Sequence, residues 1–414
     1  MKAPDPRIWL AWLLLGLASL GARAGIADAP GVQLEVALIT YGPGAIYWER
    51  FGHDAIELRD RASGEAVAFN YGMFDFNQSH FLLNFARGRM RYSMDAVAAS
   101  DDVAYYAGEG RSVRRQVLAL EPAQAARLRD ALLLNLQPAN APYDYDYYRA
   151  NCATRVRDAL DAALDGQLRT AWQAEASADT YRSQTRRLMA PQSWLMVLMD
   201  LGLGPGADIP LSQWQADFVP GTLADAVARV TVTDALGNTR PLQASDRWLA
   251  QSQIPAPSAR VPDWRWVNLA LGLGLGLLIA VGTSRHSSAW RWVSTLAGSA
   301  FMLLAGLAGL LMLGLWTLSE HTAAWANQNL LLFNPLALAL LPSLWRWRQA
   351  EYRPAWPARA LATLLTAAAA VALLGKAALP WQQNYAWIAL ALPLWTALAW
   401  AFHAKGKRRR ETAG

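Results

Sequence analysis

Residues 151–164 read NCATRVRDALDAAL and contain Cys152, the only cysteine among the 414 residues of the chain. Apolar residues recur there at helical spacing, and Asn151 is a residue type that often caps the first turn of a helix. The pattern therefore predicts a helix that begins at Cys152. At that end, the helix dipole and the free backbone N–H groups favour a thiolate, which is the nucleophilic form of cysteine. Lone cysteines are also commonly buried and inert, so packing is the alternative role.

The residues before this helix have the alternating pattern of β-strands. Residues 32–92 are strand-like, with turn residues between the predicted strands. A hairpin that runs out through 53–59 and returns through 66–71 sets His53 roughly opposite residues 70–72. We therefore predict an α+β domain in which an antiparallel sheet packs on the cysteine-bearing helix.

His53 is the best candidate for the base that a cysteine nucleophile needs, because the glycine before it allows close approach of chain or substrate. A Cys–His pair also needs a third group that holds the imidazole tautomer. Hairpin register makes Asn70 the first candidate and Asp75 the second, although both residue types also form turns. Asn151 and Tyr71 are predicted to bind substrate. A single cysteine excludes a multi-cysteine metal site and a disulfide framework. We predict no metal and no other cofactor.

Residues 1–24 have the layout of a secretory signal peptide. Lys2 and Arg7 precede an apolar run at 8–20, and a small-x-small cleavage site ends at Ala24. The mature chain would begin at the next residue. A retained membrane anchor is the alternative, and it leaves the following domain on the same side of the membrane.

The composition differs from that of an ordinary soluble enzyme, with 54% apolar residues, 17% charged residues and 20 Trp. A typical soluble domain has roughly a quarter charged residues. Beyond the N-terminus, the apolar excess lies after residue 263, in stretches near the length of about 20 residues that crosses a bilayer. We predict five transmembrane helices at 266–282, 292–318, 330–345, 360–378 and 385–403. The third is short and contains Pro335 and Pro342, which are tolerable only where neighbouring helices cover the freed backbone groups.

Lys and Arg residues are concentrated in alternate loops of this membrane region. They follow the first, third and fifth spans, whereas the loops at 319–329 and 380–384 contain none. Because positively charged loops stay in the cytoplasm, the basic C-terminal tail is predicted to be cytoplasmic and the domain before the spans to be exported. We therefore expect a multi-pass protein of the cell inner membrane with a periplasmic catalytic domain. The formal charge of +6 is then mostly an orientation signal, and we predict no nucleic-acid partner.

Polar residues in the exported loop between the second and third spans lie at or near membrane level, where such groups are costly and often functional. His321, Asn327 and Asn329 are predicted to bind a substrate headgroup or to complete the active site. Helix capping and interhelical hydrogen bonds are the alternative.

Five ordered blocks of the exported domain form a recognisable pattern. They are YGPG at 41–44, FGH at 51–53, NYGMFDF at 70–76, FARGRMRY at 85–92 and NCATRVRD at 151–158. These blocks resemble the Lnb N-terminal periplasmic domain family. The exported loop with His321, Asn327, Asn329 and Asn334 resembles the motif in the membrane half of the same proteins.

The resemblance implies a thiol enzyme of the permuted papain-like kind, related to lecithin:retinol acyltransferase, in which the His strand precedes the Cys helix. By position, Cys152 would be the nucleophile and His53 the base. Lnb is similar to a lipoprotein N-acyltransferase. The implied partners are therefore the membrane, a phospholipid acyl donor and a diacylated lipoprotein, whose N-terminal amine accepts the chain through an acyl-Cys intermediate.

Two other functions remain as alternatives. One is a membrane-tethered thiol hydrolase, either a lipase or a cell-wall peptidase. The other is a non-catalytic module that binds envelope lipid or protein. The predicted segments are a signal peptide at 1–24, a papain-like catalytic domain at 25–180, an exported linker or subdomain at 181–263, a five-helix transmembrane domain at 264–404 and a basic tail at 405–414.

Overall fold

The computed structural model describes residues 25–74, 78–285, 287–378 and 382–407. The predicted signal peptide, Asp75 and residues 408–414 of the predicted tail lie outside this part of the chain. The chain divides into two compact units. The sheet unit contains the residues up to Gln184, Leu188–Gln192 and Pro210–Ala259, and the helical unit contains Thr185–Arg187, Ser193–Ile209 and the residues from Arg260 onward.

The sheet unit is built on an antiparallel sheet. Its strands are β1 (Leu34–Tyr41), β2 (His53–Asp60), β3 (Ala66–Phe74), β4 (Met90–Ala98), β5 (Val113–Leu118), β6 (Pro142–Tyr145), β7 (Thr231–Thr233), β8 (Thr239–Pro241) and β9 (Gln243–Ala250). Seven of these strands form one sheet in the order β6-β4-β3-β2-β1-β5-β9, and every neighbouring pair is antiparallel. The predicted antiparallel sheet is confirmed.

Helices cover both faces of this sheet. The helices before the membrane region are α1 (Phe81–Arg87), α2 (Ala99–Gly108), α3 (Pro122–Leu136), α4 (Cys152–Ala163), α5 (Gln167–Ala174), α6 (Tyr181–Met189), α7 (Ser193–Gly202), α8 (Gln213–Ala216) and α9 (Pro220–Arg229). On one face, Leu38 and Ile56 belong to the core that includes α3 and α4, and on the other, Ile39 and Ala55 pack with α2. Alternate strand residues face opposite sides, and both sets are apolar because both faces are covered.

The predicted strand pattern at 32–92 is interrupted by α1, which separates β3 from β4. Its sequence, FLLNFAR, contains consecutive apolar residues that do not alternate. His80 and Gly88 flank the helix with φ of 57° and 75°, and the Gly88 N–H bonds to the Asn84 and Phe85 carbonyls. A left-handed glycine at this position is a common helix terminator, and this accounts for the short helix inside a strand-rich region.

The structure divides the predicted linker at 181–263 between the two units. β9 pairs with β5 at the edge of the main sheet, and Leu223 and Val227 of α9 belong to its core, so residues 210–259 are part of the sheet unit. Ser193–Ile209, which includes α7, belongs to the helical unit. The sequence pattern does not indicate β9, because most of this edge strand is polar or exposed.

The helical unit contains five long apolar stretches. They are Arg265–Ser284, Ser288–Leu318, Thr322–Arg348, Trp356–Ala377 and Tyr385–Gly406. Four are continuous helices, namely α10 (Arg265–Ser284), α11 (Ser288–Leu318), α13 (Trp356–Ala378) and α14 (Tyr385–Lys407).

The third stretch consists of 3-10 turns around the short helix α12 (Leu341–Trp345). Pro335 and Pro342 lie in first turns of these short elements. Proline suits that position because its missing N–H is not needed there, but it interrupts a longer helix. The five predicted membrane stretches are confirmed, and the third is the irregular one.

Candidate active site

Cys152 is the first residue of α4, and its neighbour Asn151 holds the start of this helix. Asn151 Oδ1 accepts a hydrogen bond from the Thr154 N–H at 3.0 Å, and Thr154 Oγ1 accepts one from the Asn151 N–H at 2.8 Å. This reciprocal capping box satisfies two backbone donors that have no partner within the helix. The cap therefore fixes the first helical residue, and Cys152 is 9% exposed.

Two backbone N–H groups point at the Cys152 sulfur, one from Asp54 and one from Ala153. The first belongs to the peptide group that joins His53 to Asp54, so the sulfur lies against the beginning of β2. Gly72 of β3 also adjoins the cysteine, since a Cβ at this position would lie 3.6 Å from Cys152 Cβ. The structure thus brings the predicted nucleophile and the main chain of the predicted base together.

The His53 imidazole belongs to a chain of hydrogen bonds between side chains. Its Nε2 is 2.8 Å from Asn70 Oδ1, and Asn70 Nδ2 donates to Asp102 Oδ2 at 3.1 Å. Because the Asn70 amide NH2 donates to the carboxylate, its oxygen is the acceptor, and the proton of the neutral imidazole lies on Nε2. Nδ1 is then the basic nitrogen of His53. It is also the ring nitrogen nearer to the main chain, where the sulfur makes its contact.

Asp102 on α2 belongs to this series of hydrogen bonds, and the sequence pattern does not reveal it. The Tyr41 hydroxyl donates to the same Oδ2 at 2.5 Å, and the Tyr41 ring lies 5.9 Å from the His53 ring. Asp102 therefore orients the Asn70 amide from the far side. The contact depends on how α2 packs on the sheet. Nothing in the sequence distinguishes Asp102 from the adjacent Asp101. Asp75, the second candidate for the third group, lies outside the described residues.

Burial keeps both the Cys152 thiol and the His53 imidazole uncharged at neutral pH. Burial lowers the pKa of His53 to about 4, although the hydrogen bond to Asn70 raises it. It also raises the pKa of Cys152 to about 12, together with the charge of Asp54, although the N–H groups of Asp54 and Ala153 lower the pKa. The helix start therefore favours the thiolate as expected, but the loss of solvation is larger. The site holds a thiol beside a neutral imidazole.

Arg111 supplies a buried positive charge next to this pair. It is 3% exposed, its guanidinium lies 4.5 Å from the centre of the Tyr106 ring, and its Nε donates to the Gly42 carbonyl at 2.7 Å. The Tyr106 ring in turn stacks on His53 at 5.7 Å. The positive charge lowers the pKa of both His53 and Cys152. Arg111 Nη2 is buried and makes no hydrogen bond.

The Tyr143 hydroxyl is a second polar group that lies beside the cysteine without a partner. It is buried and makes no hydrogen bond. A Cβ at Gly72 would lie 3.8 Å from this oxygen and 4.0 Å from the Cys152 nitrogen, so both groups border the same small space. The sequence shows Tyr143 as one of several tyrosines before the helix, and nothing there separates it from the others.

Asn151 and Tyr71, which are predicted to bind substrate, both make hydrogen bonds within the protein. The Asn151 amide NH2 donates to the Phe218 carbonyl at 2.8 Å and to the Tyr147 carbonyl at 3.0 Å, while its oxygen caps α4. Tyr71 is buried in the core, and its hydroxyl accepts a hydrogen bond from Asn135 at 2.9 Å. These polar groups have partners within the protein, and substrate binding by Asn151 and Tyr71 stays a prediction.

Asn327 and Asn329 lie in the helical unit, where they cap the C-terminal end of α7. Asn327 Nδ2 donates to the carbonyls of Leu201 and Gly202 at 2.8 and 2.9 Å, and Asn329 Nδ2 donates to the Leu201 carbonyl at 2.9 Å. Both asparagines are fully buried. These carbonyls end a helix and lack partners within it. Both asparagines therefore make the contacts that the capping alternative predicts, and their binding of substrate stays a prediction. His321 precedes a 3-10 turn and is half-buried in the same unit.

Among the described residues, no three His, Cys, Asp or Glu side chains form a group that could hold a metal ion. Residues 25–187 match the model of the Lnb N-terminal periplasmic domain, and residues 269–409 match the model of the Lnb transmembrane domain. The first match contains β1 to β6 and the cysteine helix, and the second contains most of the five apolar stretches. No curated protein and no solved structure matches the chain. The chain therefore belongs to the Lnb family of membrane proteins, with a periplasmic N-terminal domain and a five-span membrane domain.

Proposed function

We propose that this chain is a thiol acyltransferase that moves an acyl chain from a phospholipid to the N-terminal amine of a lipoprotein through an acyl-Cys152 intermediate. One observation carries the proposal. The Cys152 sulfur contacts the peptide that joins His53 to Asp54, while the His53 Nε2 bonds to Asn70. A thiol, an imidazole and an orienting amide in this order are the parts of a cysteine acyl-transfer site. Family membership supports the choice of substrates.

The neutral pair sets the order of proton transfer. With the Cys152 pKa near 12 and the His53 pKa near 4, a stable thiolate–imidazolium pair does not accumulate. His53 Nδ1 therefore takes the thiol proton as the sulfur attacks, as a general base. Asn70 keeps the other ring nitrogen protonated, so that Nδ1 is available throughout.

The first half-reaction forms a thioester. The sulfur bonds to the carbonyl carbon of a phospholipid ester as its proton moves to His53 Nδ1. The bond from that carbon to the glycerol oxygen then breaks, and the imidazolium returns the proton to this oxygen. Lysophospholipid leaves, and Cys152 carries the acyl chain.

The second half-reaction forms an amide and restores the thiol. The uncharged amine of the lipoprotein attacks the thioester carbon and gives one proton to His53 Nδ1. The carbon–sulfur bond breaks, and the sulfur takes that proton back. Water is the competing acceptor, so a pocket that excludes water favours transfer over hydrolysis.

Two donors border the space in which the oxyanion of each tetrahedral intermediate would form. The Cys152 N–H belongs to the helix start and has no partner within the helix. The buried Tyr143 hydroxyl has no partner either and adjoins the same space at Gly72. Fixed donors that face a developing charge are usually the largest single contribution to catalysis. We assign the oxyanion to these two groups, with the Arg111 charge nearby.

The membrane domain explains how the enzyme meets its substrates. Phospholipid and lipoprotein both reside in the membrane, and five spans hold the catalytic domain there more firmly than a lipid anchor would. The distribution of Lys and Arg supports an inner-membrane location with a cytoplasmic C-terminus. Both substrates are then available in the periplasmic leaflet.

Intact-mass analysis of the full-length protein tests this proposal. After exposure to phospholipid vesicles, the protein should gain the mass of one acyl chain, and a diacylated lipopeptide should then remove it as an N-acyl product. Cys152→Ser and His53→Asn should each abolish both steps. His80→Asn is the matched control, because His80 is exposed and asparagine tolerates its left-handed backbone.

Three outcomes would contradict the assignment. Full activity in either catalytic variant removes the proposed nucleophile or base. Release of free fatty acid or cut peptide, without an acylated amine, identifies a hydrolase. A wild-type protein that never acquires an acyl adduct is a non-catalytic module.

A further inference from the structure

The helix α1 exposes an apolar face in the catalytic domain. Leu82 is 78% exposed, and Leu83 and Phe85 are also exposed. Contiguous exposed apolar residues on a soluble domain commonly mark an interaction site. This face belongs to the inserted segment between β3 and β4, which the sheet itself does not require.

A row of aromatic rings runs from α1 toward the cysteine. The ring centres of Phe81 and Phe74 are 5.0 Å apart, and those of Phe74 and Tyr92 are also 5.0 Å apart. Tyr92 stacks on Tyr145 at 4.0 Å, and Tyr145 is 6.5 Å from Tyr143. Each ring in this aromatic row is therefore in contact distance of the next.

The row ends at the reacting sulfur. The Tyr143 hydroxyl and Cys152 Cβ lie 3.8 and 3.6 Å from the position that a Cβ at Gly72 would take. Burial raises the pKa of both Tyr143 and Tyr145, and the negative charge of a Cys152 thiolate raises it further, because the two rings lie close to the sulfur. A wall of aromatic rings thus connects the exposed face of α1 to the nucleophile.

Positive charges follow the apolar face in the sequence. Arg87 ends α1, and Arg89 and Arg91 follow within four residues, all three exposed. An apolar helix face beside arginines is the pattern of an element that lies in a phospholipid interface. The apolar side chains suit the acyl region, and the guanidinium groups suit the phosphates.

We propose that the α1 face of Leu82, Leu83 and Phe85 enters the periplasmic leaflet of the membrane and that the aromatic row leads a phospholipid acyl chain from there to Cys152. The route rests on the proposed function, since it delivers the acyl donor. Its occupant is an acyl chain because the row consists of aromatic rings, which offer contact area without charge. Arg87 and Arg89 at the C-terminal end of α1 hold the phosphate that leaves with the lysophospholipid, whereas Arg91 points to the face of β4 opposite to Tyr92.

Depth measurements test the insertion directly. In a Cys152→Ser background, Leu82→Cys carries a nitroxide label in full-length protein reconstituted into vesicles of phosphatidylethanolamine and phosphatidylglycerol. Leu134→Cys on α3 is the matched control, because Leu134 is an apolar residue that is 55% exposed in the same unit. The Leu82 label should collide more with oxygen than with a water-soluble nickel chelate, and the Leu134 label should do the reverse. Equal behaviour of the two labels would overturn the insertion.

A rate ratio tests the route to the cysteine. Acylation of Cys152 is measured from vesicle phospholipid and from soluble p-nitrophenyl butyrate, which needs no route from the membrane. Leu82→Glu should lower the ratio of the phospholipid rate to the butyrate rate at least tenfold, and Leu134→Glu should leave it unchanged. An unchanged ratio in Leu82→Glu, or the same fall in both variants, refutes the route. If the wild-type protein is acylated by neither donor, the proposed function fails, while the depth measurement still decides whether α1 inserts.

Discussion

Buried asparagines occur in both units of this protein, and their partners differ. Asn70 in the sheet unit bonds to two titratable side chains, His53 and Asp102. Asn329 in the helical unit donates to the Leu201 carbonyl and accepts from another amide, that of Asn384. Burial and residue type are the same in the two cases. The difference lies in what each amide holds.

An amide between titratable groups can control a protonation state, whereas an amide on helix-end carbonyls satisfies backbone acceptors. The first arrangement leaves a basic atom available, here His53 Nδ1. In the second, the polar atoms of the amide bond to the backbone and stabilise the fold, as Asn327 does with the carbonyls of Leu201 and Gly202. Loss of the first should therefore change a rate, and loss of the second should change stability.

Among the variants that test this comparison, Asn70→Ala should cause the largest loss of kcat. Without the amide, the imidazole loses its fixed tautomer and orientation, and loss of such an orienting group can cost about 10³-fold or more in kcat. Acylation of Cys152 by p-nitrophenyl butyrate measures the rate, and thermal unfolding of the same sample measures stability. The control is Asn135→Ala, which removes a hydrogen bond to Tyr71 and none to His53. A kcat for Asn70→Ala equal to that of the control would place Asn70 with the structural amides.

Tyr143→Phe extends the comparison to a polar atom that has no partner in the fold. Removal of the hydroxyl breaks no hydrogen bond in the resting protein. If the hydroxyl faces the oxyanion, its loss should lower kcat by about 10²-fold, the usual cost of one oxyanion donor, with stability unchanged. Tyr147→Phe serves as the control, because Tyr147 is exposed on the same segment. A stable variant with full activity would show that the hydroxyl takes no part in the reaction.

Local patterns predict the main elements of this fold. Strand alternation, the N-cap at Asn151 and the apolar run lengths indicate the sheet, the cysteine helix and the five spans, because each depends on neighbours in sequence. The same patterns miss α1 and β9. α1 is a single short helix without buried residues inside a strand-rich region, so periodicity does not indicate it. β9 is mostly exposed and forms by pairing with β5, which is distant in sequence.

Only part of the candidate site can be predicted in the same way. Hairpin register is a short-range property, so it indicates Asn70, and the structure places that amide against His53. Asp102 and Tyr143 come from other elements, and their positions depend on packing. The loss of solvation also depends on packing and cannot be predicted from local patterns. The helix start alone predicts a thiolate at Cys152, but the packed surroundings raise its pKa to about 12.

The pH dependence of the acylation rate tests whether His53 acts as the base. A His53 pKa of about 4 keeps the imidazole unprotonated and able to accept a proton at pH 5, whereas a histidine of ordinary pKa would be about 3% unprotonated there. The acylation rate should therefore stay near its plateau at pH 5 and fall as the pH drops through about 4. A fall centred near pH 6.5 would show that His53 is not the buried base.

Asp54 provides an internal control for this profile. Its buried carboxyl has a pKa that burial raises to about 7, and its charge raises the pKa of the cysteine. As the pH rises through 7, the carboxylate forms beside the sulfur and opposes the negative charge that develops there, so the rate should decline. Asp54→Asn should remove this decline and leave the acid limb near pH 4 unchanged.

Asn329→Ala should have the smallest effect on the rate and a clear effect on stability. It leaves the Asn384 amide without its acceptor and removes one donor from the Leu201 carbonyl. Unpaired buried polar groups cost about 1–3 kcal/mol each, so the thermal midpoint should fall by several degrees. Asn334→Ala is the milder control, since Asn334 is half-buried and caps a single turn through Leu336.

The rate per folded molecule with p-nitrophenyl butyrate should stay within twofold of wild type in both asparagine variants. A large loss of kcat in Asn329→Ala at unchanged stability would support the substrate-binding role that the sequence predicts for this residue. Backbone partners would then be no guide to the role of a buried amide in this chain. The comparison between the two units therefore depends on separating rate from stability in the same sample.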